Sequence, residues 1–190
     1  MMALGIDPGS KVTGYALLDT DKPETACILD AGRITGSEAR VTIEPPALAA
    51  HWNTPDLTTM RRIRIMAGEA RYMVHHWKPD WIVIEVPSGK IGTGAKQGAR
   101  GSLATYGMAT GVMFYVCYSQ WWEKTIPVTE RQWTANYKHK RKDLRQIAIA
   151  AMYPQYDPKT DPGGDVADAI GAADWWINYL AVWQQEQAGG

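Results

Sequence analysis

Four acidic residues occupy positions in the sequence where carboxylates are unusual. Their side chains and their spacing suit the binding of metal ions. Asp7 ends the apolar run "LGID", and Glu85 lies inside "WIVIEV", where a two-residue period places it on the same face as Val83. Asp165 and Asp168 are three residues apart on a predicted helix, so both carboxylates share one face. A lone charge in such apolar surroundings costs free energy unless another group compensates it.

Four carboxylates that converge in an apolar setting repel one another, and bound divalent cations are the usual remedy. Ligand sets of oxygen atoms, without Cys or His, suit Mg²⁺ or Mn²⁺. Two such ions about 4 Å apart could activate a water molecule and stabilise the leaving oxygen during in-line attack on a phosphodiester. Asp7 is the expected bridging ligand. The four acids therefore predict a site for divalent metal ions, and hydrolysis of a phosphodiester is one reaction that such a site could perform.

Each acid also has an ordinary structural explanation. Asp7 could open the Asp-Pro-Gly turn that follows the first strand. Glu85 could pair with an arginine. Asp165 and Asp168 could be helix N-terminal acids that interact favourably with the macrodipole. The combination favours the chemical interpretation, because strand, strand and late helix is an order that places all four acids at one end of a sheet.

The elements that must position these acids follow from hydrophobic periodicity and turn residues. We predict strands at 3–6, 12–18, 26–34, 81–86 and 125–129, and helices at 58–77, 98–122, 144–152 and 165–183. Short links between the first three strands predict an antiparallel meander. The fourth strand is apolar almost throughout, which predicts a central position. The fold class is therefore α/β.

Three further features bear on the organisation of the chain. Residues 36–57 contain prolines and show no sustained period, so we expect a long connection there. The helix at 98–122 is rich in Gly, Ala and Met, which predicts close packing on both sides. Asp143 is predicted to cap the helix that begins at Leu144.

Composition limits the remaining possibilities. At 190 residues with 45% hydrophobic content, the chain can form one domain, 1–190, with a sizeable core. Lys plus Arg and Asp plus Glu number 20 each, so any polyanion site must be local. Cys27 and Cys117 form no metal-like spacing and are expected to be reduced. No secretory signal or membrane span is apparent, so we expect a cytoplasmic protein.

Local basic segments supply candidate contacts for a polyanion. No acidic residue lies from Val86 to Trp122, whereas three basic residues stand among glycines that allow close backbone approach: Lys90, Lys96 and Arg100. Residues 131–145 carry six Lys or Arg against one Asp, and this run leads into a helix, whose N-terminal amides also hold phosphate. Its candidate phosphate ligands are Lys138, Lys140, Arg141 and Lys142. A merely solvated charged face remains the alternative.

Three motifs resemble those of RuvC-type Holliday junction resolvases in order and spacing: "LGIDPGSKVTGYALLD", "IVIEVPSGK" with the following "GARGSLATYGMATG", and "GDVADAIGAAD". The resemblance implies an RNase H-like fold, a five-stranded mixed sheet flanked by helices, and a homodimer. It also implies that Asp7, Glu85, Asp165 and Asp168 are Mg²⁺-binding catalytic acids, with Mn²⁺ as a substitute. The implied reaction is paired nicking of four-way DNA junctions, leaving 5′-phosphate and 3′-hydroxyl ends.

The sequence departs from that family at one place, and other interpretations remain. Resolvases of this family often carry a junction-stacking aromatic after the strand Glu, whereas neither Ser88 nor Ile91 can stack as a ring would. A divergent, phage-type member with a broader range of branched DNA substrates would fit this difference. A YqgF-like RNA-processing nuclease and a catalytically inactive junction-binding module are the alternatives. Sugar kinases and actin-like ATPases open similarly but need a second lobe, for which this chain is too short.

The implied dimer needs a surface of its own. A four-way junction has near two-fold symmetry and requires two matching nicks, so one active site per chain predicts a C₂ homodimer. The small-residue helix at 98–122 is the candidate interface, since Gly107 and Gly111 would permit close approach of a second copy.

Overall fold

The computed structural model describes residues 1–23, 26–35, 56–87, 97–137 and 141–188. Its five strands are β1 Met2–Asp7, β2 Val12–Asp19, β3 Ile28–Thr35, β4 Trp81–Val86 and β5 Thr125–Thr129. Its α-helices are α1 Asp56–Trp77, α2 Gln97–Trp121, α3 Glu130–Trp133, α4 Lys142–Met152 and α5 Asp165–Ala188. Most of the predicted 36–57 connection lies outside the described residues.

The five strands form one mixed sheet in the order β3-β2-β1-β4-β5. β1, β2 and β3 form the predicted antiparallel meander, while β4 runs parallel to both β1 and β5. Both β1 and β4 are interior strands, which explains why both are apolar almost throughout. The predicted α/β class with a five-stranded mixed sheet flanked by helices is confirmed.

Alternation along the strands divides the core between the two faces of the sheet. Leu4 and Ile6 of β1 pack with residues of α1 and α2, among them Met66 and Met113. Ala3, on the opposite face of β1, belongs to the cluster that includes residues of α3, α4 and α5. The sheet is therefore covered by α1 and α2 on one face and by α3, α4 and α5 on the other.

The first turns of α5 lie unusually close to the sheet because two glycines leave room for them. A Cβ atom at Gly14 would lie 2.0 Å from the carbonyl oxygen of Asp165, and one at Gly5 would lie 2.0 Å from that of Ala169. Both distances are far below van der Waals contact. Gly5 of β1 and Gly14 of β2 thus allow the first turn of α5, which carries Asp165 and Asp168, to pack directly against the sheet.

Two expectations about the helices are wrong. Asp143 does not cap α4: the N-cap is Arg141, and Asp143 lies inside the first turn, where it pairs with the Arg141 guanidinium at 2.6 Å. Within this chain α2 is packed closely on only one side. Tyr115 is 70% exposed, and a Cβ atom at Gly107 or Gly111 would meet no heavy atom within 4 Å.

Two further observations concern the cysteines and the helices. Cys27 and Cys117 are both buried and free. None of the helices in the described ranges is long and apolar enough to cross a membrane.

Candidate active site

The four predicted acids meet in one polar cleft at the edge of the sheet. β1 and β4 are parallel and Ile6 pairs with Ile84, so the residues that follow, Asp7 and Glu85, lie at the same edge. The first turn of α5 brings in the other two acids. The cleft has a volume of about 290 Å³ and is lined by Asp7, Pro8, Gly9, Val12, Glu85, Tyr106, Glu130, Lys142, Arg145, Asp165 and Asp168.

Asp7 lies in the cleft close to two other carboxylates, those of Glu85 and Asp168. No described residue donates a hydrogen bond to its carboxylate, so the contact that a turn-opening Asp would make is not observed there. Burial, followed by the nearby charges of Glu85 and Asp168, raises the pKa of Asp7 well above its usual value. A carboxylate in this position is destabilised in its charged form unless a cation compensates it.

Glu85 is held by an indole N–H rather than by an arginine. Nε1 of Trp133, a side chain with no exposed surface, donates a hydrogen bond to Oε2 of Glu85 at 2.8 Å. Burial raises the pKa of Glu85 to about 7, and the Trp133 hydrogen bond acts in the opposite direction by stabilising the charged form. This bond fixes one carboxylate oxygen and leaves the other for a further ligand.

Asp168 is held by the buried side chain of Arg145. The Nε and Nη2 atoms of Arg145 lie 3.2 and 3.3 Å from the two carboxylate oxygens of Asp168, and Nη1 lies 3.1 Å from Oε1 of Glu130. The guanidinium carbon is 5.2 Å from the centre of the Trp133 ring. Burial raises the pKa of Asp168, although Lys142 and Arg145 counteract it. Trp133 and Arg145 thus connect Glu85 to Asp168.

Lys142 bridges the two acids of α5. Its Nζ lies 3.2 Å from Oδ1 of Asp165 and 3.0 Å from Oδ2 of Asp168. Burial lowers the pKa of Lys142, but the charges of Asp168 and Asp7 outweigh that effect and raise it. Arg33, on β3, contacts the other oxygen of Asp165 at 3.6 Å. The two acids of α5 therefore have more cationic contacts than Asp7 or Glu85 has.

The capping of α5 is provided by a residue that the sequence interpretation missed. Asp161 is fully buried. Its carboxylate accepts hydrogen bonds from the backbone N–H groups of Asp165, Val166 and Ala167, at 3.1, 3.1 and 3.0 Å. The hydroxyl of Tyr156 donates to the same carboxylate at 2.9 Å. Asp165 and Asp168 lie in the first turn, as predicted, but are not needed to satisfy the amides at the helix start.

The other residues missed by the sequence interpretation have little local signal. Tyr106, Glu130, Trp133 and Arg145 reach the cleft from α2, α3 and α4. An acidic residue four positions before a predicted helix could have indicated Asp161, but "TDPGGD" reads as a turn. Burial, with the charges of Glu85 and Asp7, raises the pKa of Tyr106, so its hydroxyl stays neutral beside the acids.

The predicted DNA-contact residues are only partly described. Lys90, Lys96, Lys138 and Lys140 lie outside the described residues, and the side chain of Arg100, in α2, does as well. Arg141 is exposed and paired with Asp143, and Lys142 lies in the acidic cleft. The assignment of these residues to phosphate binding therefore stays a prediction.

The donor set of the cleft suits a hard divalent cation. It offers several carboxylates without Cys or His. Burial raises the pKa of Asp7, Glu85 and Asp168, and nearby carboxylates add to this effect at Asp7 and Glu85. In the described parts of the chain no three His, Cys, Asp or Glu side chains are already gathered closely enough to hold an ion. Lys142 and Arg145 lie among the acids instead. The residues fit such an ion chemically, and binding it requires the carboxylates to turn toward it.

Trp133→Phe should lower the cleavage rate roughly tenfold, because a hydrogen bond to a charged group contributes about 1.5–3 kcal/mol. An aromatic ring is kept, so affinity for DNA should change little, but the smaller ring leaves a cavity at a fully buried position and should lower the melting temperature, so cleavage is compared well below it. Trp176→Phe is the matched control, since the Trp176 Nε1 is buried without a hydrogen-bond partner among the described residues. Single-turnover cleavage at saturating Mg²⁺ measures the difference. Equal rates for the two variants would show that the indole N–H does not position Glu85.

Comparisons with known proteins agree with the motif resemblance. No protein-family model matches the chain. The chain is 24% identical to the crossover junction endodeoxyribonuclease RuvC of Thermomicrobium roseum over 194 aligned positions, which cover 98% of this chain and 99% of that protein. It is 29% identical to the RuvC of Fusobacterium nucleatum over 85 positions, covering 45% of this chain and 35% of that one.

Solved structures show the same relationship in the fold. Thermus thermophilus RuvC in complex with a Holliday junction substrate matches with a TM-score of 0.65 and 15% identity, covering 95% of this chain and 94% of that chain. The yeast mitochondrial Holliday junction resolvase Ydc2 matches with a TM-score of 0.52 and 13% identity, covering 94% and 80%. The predicted RNase H-like fold is confirmed, and the resemblance to the RuvC type extends over nearly the whole chain.

Proposed function

We propose that this RuvC-type chain is a Holliday junction resolvase, an endodeoxyribonuclease that makes paired nicks at four-way junctions by metal-dependent phosphodiester hydrolysis. The observation that carries the proposal is the meeting of four carboxylates from β1, β4 and α5 in one polar cleft. The full-length similarity to a protein named crossover junction endodeoxyribonuclease supports the substrate class. The whole chain, 1–190, is proposed to act as one nuclease domain.

The residues of the cleft have distinct proposed roles. Asp7, Glu85, Asp165 and Asp168 would hold Mg²⁺, or Mn²⁺ in its place. When bound, the ions supply an activated water and stabilise charge on the leaving oxygen.

Trp133 orients one oxygen of Glu85, and Arg145 orients both oxygens of Asp168. Lys142 lines the cleft with a side chain that is 42% exposed, so it can turn from the acids toward a phosphate oxygen. Such a movement would release Asp165 and Asp168 for the ions.

We also propose a C₂ homodimer, because one cleft per chain must produce two matching nicks. The exposed face of α2 remains the candidate interface. Tyr115 and Tyr118 are exposed there, and open space adjoins Gly107 and Gly111. A second copy could cover this face closely. We further propose that the protein acts in the cytoplasm, a reducing compartment that suits its two free, buried cysteines.

The experiment that tests the function compares synthetic DNA four-way junctions, flaps and plain duplex in the same assay with Mg²⁺. We expect matched nicks in two strands of the junction, with 5′-phosphate and 3′-hydroxyl ends, and no cleavage in EDTA. The mass of the cleavage-competent protein, measured in the same buffer, should be that of a dimer. Cleavage by a monomer would remove the proposed dimer while leaving the nuclease assignment.

The alternatives give different results in the same experiment. A YqgF-like nuclease would cleave a structured RNA precursor in preference to the DNA junction. A binding module would shift the junction in a gel but leave it intact at every Mg²⁺ concentration. Either result would replace the resolvase proposal.

A further inference from the structure

A group of arginines on α1 is not accounted for by the packing of the helix. Arg61 and Arg64 are exposed and three residues apart, so they share one face, and Arg62 between them is partly buried. No acidic residue lies three or four positions from any of the three. Like charges at this spacing repel, and among the described side chains of α1 no carboxylate lies at the spacing that would compensate them. A negatively charged partner would compensate these positive charges.

These arginines differ from the basic residues around the cleft. Arg33, Arg141, Lys142 and Arg145 each form an ion pair with a carboxylate. Among the described residues, by contrast, no carboxylate lies within ion-pair distance of the α1 arginines. The exposed arginines of α1 are therefore among the described cations that remain available for an anion, and two of them, Arg61 and Arg64, lie on one helix face.

The arginines lie at the same edge of the sheet as the four acids. Thr13 contacts the Met66 sulfur at 3.6 Å, and the next residue of β2, Gly14, pairs with Asp7. Met66 therefore marks the level of Asp7 on α1. At 1.5 Å per residue, Arg64 lies about 3 Å and Arg61 about 7.5 Å farther toward the helix start.

The direction of α1 confirms this placement. α1 ends four residues before Trp81, which pairs with Ala3 at the opposite edge of the sheet. The helix therefore runs away from the acids as it proceeds. Its arginine-bearing start lies at the catalytic edge, on the face of the sheet opposite to α5.

We propose that Arg61 and Arg64 bind backbone phosphates of a duplex arm of the DNA substrate, as a second contact surface on the α1 side of the catalytic edge. The proposal rests on the proposed function, because it requires DNA in the cleft. Duplex DNA carries about one negative charge per 1.7 Å, so a duplex that crosses this edge presents phosphates to both faces of the sheet. The planar guanidinium group suits phosphate oxygens, which it can bind in a bidentate manner.

The double variant Arg61→Ala/Arg64→Ala tests the proposal. Binding of a labelled four-way junction is measured in EDTA over a series of salt concentrations, so that cleavage does not interfere. We expect the slope of log affinity against log salt to flatten by about 0.9 per lost contact, and affinity at 0.1 M salt to fall about tenfold or more. Arg61→Lys/Arg64→Lys should restore most of the slope, since it restores the charges.

A matched control removes two charges elsewhere. Lys22 follows β2 and Lys124 precedes β5, so both exposed side chains lie at the edge opposite to the acids. Lys22→Ala/Lys124→Ala should keep the wild-type slope. If the salt slope flattened equally in both double variants, the loss of net charge alone would explain the effect, and the proposal would be overturned.

The outcome for the wild-type protein separates this inference from the proposed function. If the wild type binds and cleaves junctions but Arg61→Ala/Arg64→Ala keeps the wild-type slope, only the α1 surface is overturned. If the wild type neither binds nor cleaves a junction, the proposed function fails, and the α1 surface with it.

Discussion

Asp7→Asn should lower the rate of junction cleavage by at least about 10³. The loss of one preorganised electrostatic contact already costs about 10² to 10³, and this change removes a negative charge that two metal ions would share. Asn keeps the shape of the side chain, and the phosphate contacts proposed on α1 are elsewhere, so DNA affinity should survive. Single-turnover cleavage in Mg²⁺, with binding measured separately in EDTA, provides the test.

The same variant has an expected effect on stability. Burial and the charges of Glu85 and Asp168 raise the pKa of Asp7 in the folded protein, so its ionised form opposes folding as the pH rises above the usual carboxyl range. Removing that charge should leave the melting temperature in EDTA at pH 8 unchanged or higher. If Asp7 instead only opened a turn, stability would fall by about 1 kcal/mol and cleavage would be spared.

Asp19→Asn is the matched control for Asp7→Asn. Asp19 ends β2 as Asp7 ends β1, but at the opposite edge of the sheet, where it pairs with the amino terminus at 3.6 Å. We expect wild-type cleavage and a small loss of stability. A similar loss of cleavage in both variants would mean that charge removal acts through the whole fold rather than through the cleft.

Asp161→Ala should destabilise the protein by about 2 kcal/mol or more and also reduce cleavage. A single lost helix cap costs about 1 kcal/mol, and each buried donor left without a partner costs about 1–3 kcal/mol. Here three amides of α5 and the Tyr156 hydroxyl lose the same carboxylate. For a chain of 190 residues, 2 kcal/mol corresponds to a melting temperature lower by about 4–8 °C.

Cleavage should fall in Asp161→Ala even well below its melting temperature, because Asp165 lies in the turn that Asp161 holds. Asp157→Ala is the control. Asp157 is exposed and caps only the short 3₁₀ turn Pro158–Thr160, through the N–H of Lys159 at 3.0 Å. A cost of about 0.5 kcal/mol with unchanged cleavage is expected there. If the two variants were equally stable, the buried carboxylate would not be the anchor of α5.

The sequence by itself determined the strands and the placement of the acids along them. Short apolar segments between turn residues define β1, β2, β4 and β5 to within a residue or two, because side-chain alternation and turn chemistry are local properties. A strand that is apolar on both faces must be interior, and two parallel interior strands end at one edge. The sequence pattern alone therefore predicts that Asp7 and Glu85 lie close together at that edge.

Only the tertiary structure decided what surrounds each acid. Trp133 and Glu85 are 48 residues apart, and Lys142 and Asp165 are 23 apart, so no periodicity reports either contact. The sequence interpretation assigned Asp143 to a helix cap and did not place Lys142 beside Asp165 and Asp168, because only neighbours along the chain were visible. The approach of α5 over the glycines of β1 and β2, with α4 packed against α5, brings these groups together. The packing of α4 against α5, rather than any sequence motif, determines that Lys142 and Arg145 contact Asp165 and Asp168.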